Sequence, residues 1–171
     1  MTLSLTVSTL DSPIGLLAIA CDAGGAVRGV SFGAGLERAM RREYPAATMM
    51  AGETPEAVKE TLAAYFDGDA SALARVSWSL DGAAGGDGFQ ARVWRALADV
   101  PVGQTISYGE MAKRAGEPGA AQAAGVALNR NPIPLVLACH RVVGADGAMV
   151  GFGGGLERKT WLLRHEAALL I

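Results

Sequence analysis

The chain is short of the residues that staple or metallate small proteins. It has two cysteines, at 21 and 139, and two histidines, at 140 and 165, in 171 residues. Two cysteines make no disulfide framework, and two histidines leave no zinc-type spacing to propose. A reduced, intracellular (cytoplasmic) setting is therefore expected, with no metal and no other cofactor. Aromatic residues are scarce at 6%, whereas half the chain is apolar and 23 residues are glycine. The core must then be built from small and aliphatic side chains. A long hydrophobic run is missing too. "MTLSLTVSTLDSPIGLLAIA" has no basic leader and is interrupted by Asp11 and Pro13, so it reads as neither a signal peptide nor a membrane span. The length suits one domain or two small ones.

Nor does one sign of charge dominate. The net charge of −2 conceals two unlike halves: residues 1–84 hold six basic against ten acidic side chains, and residues 85–171 hold nine against seven. An anionic partner should meet the second half. Composition changes at the same place. "DGAAGGDG", residues 81–88, reads as a linker between a domain at 1–80 and another at 89–171.

In the first half, strand-like runs alternate with turn signals at Asp11-Ser12-Pro13 and at 22–25, which predicts an antiparallel meander or hairpins. "TPEAVKETLAAYFDGD" opens with a Thr-Pro helix start and stops near Gly68, predicting a helix packed on that sheet. Cys21 follows "LLAIA" and reads as a core residue. No catalytic constellation is visible here.

The second half carries more. "FQARVWRALADVP" sets Phe89, Val93, Trp94 and Leu97 at helical spacing and ends at Pro101. In "TISYGEMAKRAG", Ser107 and Glu110 form a capping box for a second helix. "GEPG" breaks it, and "AAQAAGVALNRNP" forms a third, stopped by Pro132. Helix, Gly-containing turn, helix is a helix-turn-helix pattern. The third helix is nearly bare, with alanine or glycine at 120, 121, 123, 124, 125 and 127. Small residues permit close helix packing; they also let a helix enter a narrow groove such as the minor groove of DNA.

"PLVLACHRVVG", 134–144, reads as a buried strand that ends in a thiol, an imidazole and a guanidinium. Successive strand side chains face opposite ways, so Cys139 and His140 can cooperate only through a turn or a bridging water. Near the C-terminus Glu166 interrupts an apolar stripe made by Leu162, Leu163, Leu169 and Leu170. A buried carboxylate needs a partner. Either the stripe frays to solvent at a helix end, or the partner is an arginine in a salt bridge, or it is His140, whose tautomer Glu166 would fix as the third member of a triad does. The last choice makes a Glu–His–water–Cys relay that would leave Cys139 as thiolate. His165, on the flank of the stripe, reads as structural. The sequence offers no oxyanion hole, second cysteine or metal to regenerate the sulfur, so an alkyl group taken by displacement would stay.

Together "FQARVWRAL", "VPVGQTISYGEMA", "NPIPLVLACHRVVG" and "GFGGGLERKTWLLRHE" make the chain resemble the O6-alkylguanine-DNA alkyltransferases, also called methylated-DNA–protein-cysteine methyltransferases. The resemblance implies an α/β (α+β) protein. A ribonuclease-H-like sheet with a helix would come first, then a helical, winged-helix-like domain with a helix-turn-helix. It implies DNA repair by one-way transfer of an alkyl group from a flipped-out O6-alkylguanine in double-stranded DNA to Cys139. His140 would act as base through water, Glu166 would support it, and Tyr108 would give a proton to the leaving guanine. Asn131 would brace the turn before the active-site segment. Backbone groups near Cys139, Val142 and Gly153 would hold the base edge. The bare helix, with Ala121, Gln122 and Gly125, would read the minor groove, with Arg130 and Arg141 counted among the DNA-contacting residues. The protein would be a monomer, with cooperativity on DNA left open. The alternative is a DNA-binding lesion sensor or regulator with little transfer activity.

Two positions depart from the family pattern. Ala138 stands where proline usually precedes the nucleophile, which restores an N–H and frees φ. Gln122 stands where the family usually has an arginine finger that replaces the flipped base in the stack. Glutamine can bond the orphaned base but brings no charge and no guanidinium plane, which predicts weaker DNA binding and slower repair.

Overall fold

The structure, a computed structural model, describes residues 2–86, 88–147 and 151–168. The chain divides into two compact units. One is Met1–Gly86 with Pro132–Val136; the other is Asp87–Asn131 with Leu137–Ile171. Among the described residues no helix is long and apolar enough to cross a membrane.

The first unit is a four-stranded sheet. Strands β1 (Ser4–Leu10), β2 (Leu17–Cys21) and β3 (Val27–Phe32) form the predicted antiparallel meander, and β4 (Thr48–Ala51) adds to β1 in parallel, in the order β3-β2-β1-β4. The turn between β2 and β3 follows from Asp22, whose carboxylate accepts the amides of Gly24 and Ala26, both at 3.0 Å. The parallel edge strand was not visible in "TMMA", which is too short and too exposed to alternate.

Helix α1 (Leu36–Glu43) was also missed. It lays Leu36 and Met40 on Leu5 and Ala20, and it approaches β3 so closely that a Cβ at Gly29 would stand 2.6 Å from the Met40 sulfur. Helix α2 (Glu56–Phe66) lies where predicted, buries Val58, Leu62 and Tyr65, and stops before Gly68 at φ 122°. The Gly/Asp-rich stretch is not free chain. Ala83 is buried in the same core as Leu5 and Met40, and the Ala84 amide donates to Glu43 O at 2.8 Å.

The second unit is helical. Helix α3 (Phe89–Leu97) buries Val93, Trp94 and Leu97 as its spacing predicted. The helix-turn-helix is α4 (Tyr108–Arg114) and α5 (Ala121–Asn129), joined through Gly116 and Gly119, both near φ +90°. Ser107 caps α4 by accepting the Glu110 amide at 3.1 Å, while the Glu110 carboxylate takes Arg114 rather than completing a box. Trp94 Nε1 donates to Ala127 O at 2.7 Å and ties α3 to α5. A short parallel pair, β5 (Ile106–Ser107) and β6 (Val142–Val143), and helix α6 (Leu156–His165) complete the unit.

Candidate active site

The run 135–138 is buried, with Pro134 half-buried before it, but it is not a strand. Pro132 and Pro134 remove two ladder donors, and Leu135 sits at φ 74°. Ala138, at φ −75° and ψ 67°, makes an inverse γ-turn that the Cys139 amide closes on Leu137 O at 2.7 Å. Cys139–Arg141 then form one 3-10 turn. In a 3-10 turn successive side chains fan out about 120° apart, so thiol, imidazole and guanidinium leave the turn in three directions, and Glu166 joins the last two. A regular strand could not have done this. The φ at Ala138 is one proline would also adopt, so the missing ring leaves the local path unchanged.

His140 is wholly buried. Its Nε2 lies 2.8 Å from Glu166 Oε2, and its Nδ1, also buried, has no hydrogen-bond partner among the described residues. The Phe152 ring stands edge-on to the imidazole. Glu166 ends α6 as its C-cap residue. Leu169 and Leu170, the far side of its expected stripe, lie outside the described residues. Its two candidate partners are both real: Oε1 accepts from Arg141 Nε at 2.8 Å while Oε2 serves His140. Arg141 also donates through Nη1 to Val100 O at 2.7 Å. Arg141 is buried, and these bonds run to groups of the protein, whereas the resemblance counts it among the DNA-contacting residues.

Burial alone would raise the Glu166 carboxyl. The hydrogen bonds from His140 and Arg141 and the charge of the guanidinium outweigh it and hold the group below its ordinary value. Burial pushes His140 below its ordinary value despite Glu166. The imidazole is then neutral, the ionised carboxylate requires its proton on Nε2, and Nδ1 is left as a lone-pair acceptor. Burial raises the Cys139 thiol to about 11, against a hydrogen bond from Asn131 and the charge of Lys159. At rest the sulfur is a thiol and not the expected thiolate.

Asn131 is buried and donates through Nδ2 to Leu137 O at 2.8 Å, bracing the turn. Tyr108, at the start of α4, points its hydroxyl toward Gly151 O at 3.4 Å. Burial and the nearby Cys139 raise its pKa, so the phenol keeps its proton. Val142 is buried and its carbonyl accepts Lys159 Nζ at 2.6 Å; Gly153 is exposed. Gln122 is exposed on α5 with Ala121 half-buried beside it, Arg130 is exposed just past the helix end, and Gly125 abuts the Tyr108 ring. Cys21 is a buried core residue of β2, and His165 stacks on Trp161 at 4.7 Å.

Sequence reasoning missed Lys159, a wholly buried lysine. The signal was present: residues 159, 162, 163 and 166 share one helical face, so the lysine lies on the same stripe as Glu166.

Residues 88–168 match the family model described as 6-O-methylguanine DNA methyltransferase, DNA binding domain. Over the whole chain, the methylated-DNA–protein-cysteine methyltransferase of Salmonella typhimurium is 36% identical, covering 99% of each chain. That of Mycolicibacterium paratuberculosis is 43% identical across 95% of this chain and 94% of its own. The crystal structure of Mycobacterium tuberculosis O6-methylguanine methyltransferase superposes with a TM-score of 0.73 at 38% identity, covering 95% and 93% of the two chains. The Mycobacterium tuberculosis OGT in complex with DNA gives the same score and identity, covering 95% and 92%. With full-length relatives at this identity, the chain belongs to the methylated-DNA–protein-cysteine methyltransferase family.

Proposed function

We propose that the protein repairs DNA by moving an alkyl group from O6-alkylguanine onto Cys139, once per molecule. One observation carries the assignment of roles. Glu166 holds Nε2 of a neutral, buried His140, and Nδ1 remains unbonded one residue from a buried thiol.

The chemistry follows from that arrangement. His140 Nδ1 takes the thiol proton through a bridging water. The sulfur then attacks the alkyl carbon as the carbon–O6 bond breaks. The departing guanine takes the electron pair, and the Tyr108 hydroxyl donates the proton that neutralises it. Asn131 and Lys159 stabilise the sulfur as it becomes anionic. The product is a thioether, which no group in the site can cleave, so the protein is consumed.

DNA is the partner. In this reading α5 enters the minor groove of the duplex with its outer side, where Gln122, Ala123 and Val126 are exposed. The base is flipped because its reacting atom is unreachable in the stack. Val142 and Gly153 hold the base edge, Arg130 lies at the rim, and the protein works as an intracellular monomer.

The test is intact mass after incubation with a duplex containing O6-methylguanine. The expected result is one added methyl per chain, absent in Cys139→Ser. Binding to the duplex with no adduct in the unaltered protein would instead make it a lesion-binding module.

A further inference from the structure

We propose that Arg141 is a positioning residue for this transfer: by bridging Glu166 and the Val100 carbonyl it dictates which nitrogen of His140 carries the proton. The inference rests on the alkyl-transfer reading above and assigns it one more residue.

Glu166 divides its carboxylate between two partners at the same distance, Oε1 to Arg141 Nε and Oε2 to His140 Nε2, both 2.8 Å. The second anchor of the guanidinium, Nη1 to Val100 O at 2.7 Å, belongs to the segment that follows α3 and fixes the fork in place. All three side chains are buried. A buried carboxyl can meet an imidazole in two ways. Ionised, it accepts from Nε2–H and leaves Nδ1 as the base. Protonated, it donates to Nε2, and the neutral ring must then carry its hydrogen on Nδ1. That second state has no acceptor left to receive the thiol proton.

Burial favours the protonated carboxyl, and a permanent cation on its other oxygen opposes this. An arginine is suited to that task because it does not deprotonate and its planar fork spans two acceptors. The other charged or titratable groups that face the imidazole do not substitute for it. The charge of Lys159 disfavours a further proton on His140, but its ammonium is directed to the carbonyls of Val142 and Gly151. Cys139 is neutral at rest. The charge that keeps Glu166 an acceptor therefore comes from Arg141.

The chain's two histidines make a direct test possible. With 15N-histidine labelling, His140 and His165 give two sets of ring signals, and the tautomer of each is read from long-range 1H–15N spectra of the protein without DNA. The unaltered protein should show His140 protonated on Nε2 from pH 6 to 8. In Arg141→Met, His140 should move to the Nδ1–H form below neutral pH. The rate with free O6-benzylguanine should fall at least about tenfold at pH 6 and recover as the carboxyl ionises toward pH 8. Arg141→Lys, which keeps the charge, should retain the Nε2–H form.

If Arg141→Met does not fold, Arg141→Gln keeps the length and a donor while removing the charge, and the same tautomer change is expected. An unchanged tautomer in a folded neutral variant, or a slowing equal at every pH, overturns the proposal. An unaltered protein that accepts no alkyl group yet shows the Arg141-dependent tautomer overturns the transfer reading and supports this assignment.

Discussion

The two cysteines make the most instructive comparison between the two units. Burial raises both thiols to about 11, so neither is acidic at rest. Around Cys21 the next contribution is Asp22, which disfavours a thiolate further. Around Cys139 the next contributions are Asn131 and Lys159, which favour one. The second thiol also has His140 beside it on one turn. Reactivity here lies in what surrounds the sulfur when the proton leaves, and not in a standing thiolate. The same contrast holds for the buried charges. In the first unit Arg28 bonds Asp22 at 2.8 Å, donates to Asp81 O and lies over the Tyr44 ring, closing a turn onto its own sheet. In the second, Arg141 bonds a carboxylate that also holds the base. One network braces a fold; in the proposed function the other braces a reaction.

The largest effect should come from the thiols themselves. Cys139→Ser should abolish adduct formation, while Cys21→Ala should leave one adduct per folded chain, both read by intact mass. Loss of transfer in Cys21→Ala would break the comparison.

Next comes the carboxylate. Glu166→Gln should slow transfer from free O6-benzylguanine by about 10²-fold, in the range for a lost general base, measured in single-turnover kinetics. No matching substitution in the Arg28–Asp22 pair should alter that rate beyond its effect on folding.

Acid sensitivity should follow from the same cluster. Folded His140 binds its proton less readily than its unfolded counterpart near 6.5, and folded Glu166 releases its proton below the ordinary 4.5. In both cases the unfolded chain binds more protons, so stability rises with pH across this window. The melting temperature should fall as pH drops from 6.5, and further below 4.5. Glu166→Gln should flatten the lower part of that curve.

Gln122→Arg should speed transfer from duplex DNA several-fold and leave transfer from the free base unchanged, because Gln122 lies on the exposed side of α5 and outside the thiol cluster. Equal effects on both substrates would show that position 122 acts on the chemistry instead. The smallest effect belongs to Ala138→Pro. Its φ already matches proline, so the change should add about 0.5–1 kcal/mol by restricting the unfolded chain, seen as a slightly higher melting temperature with unchanged transfer.

Much was legible before any coordinates. Helix α3 was readable because Val93, Trp94 and Leu97 recur at helical spacing, and α4 because Ser107 caps it. The meander was readable because Asp22 and Pro13 punctuate alternating runs. Strand β4 and helix α1 were not, since one is four mostly exposed residues and the other owes its place to a contact with Gly29. The cluster was legible as a list: Cys139, His140 and Glu166 were each conspicuous as polar groups in apolar surroundings.

What the sequence determined by itself was the chemistry available: Cys139, His140 and Glu166 standing in apolar surroundings in the second half, with nothing evident to regenerate the sulfur. The tertiary structure decided how they are arranged. Two prolines and the turn at Ala138 convert an apparent strand into a 3-10 turn, and from that turn Arg141 reaches Glu166. It also decided the protonation state, because burial and the neighbouring charges set the thiol high and the carboxylate low. Periodicity along a chain reports which residues share a face. It does not report what lies across from that face, and a buried charge takes its behaviour from that partner.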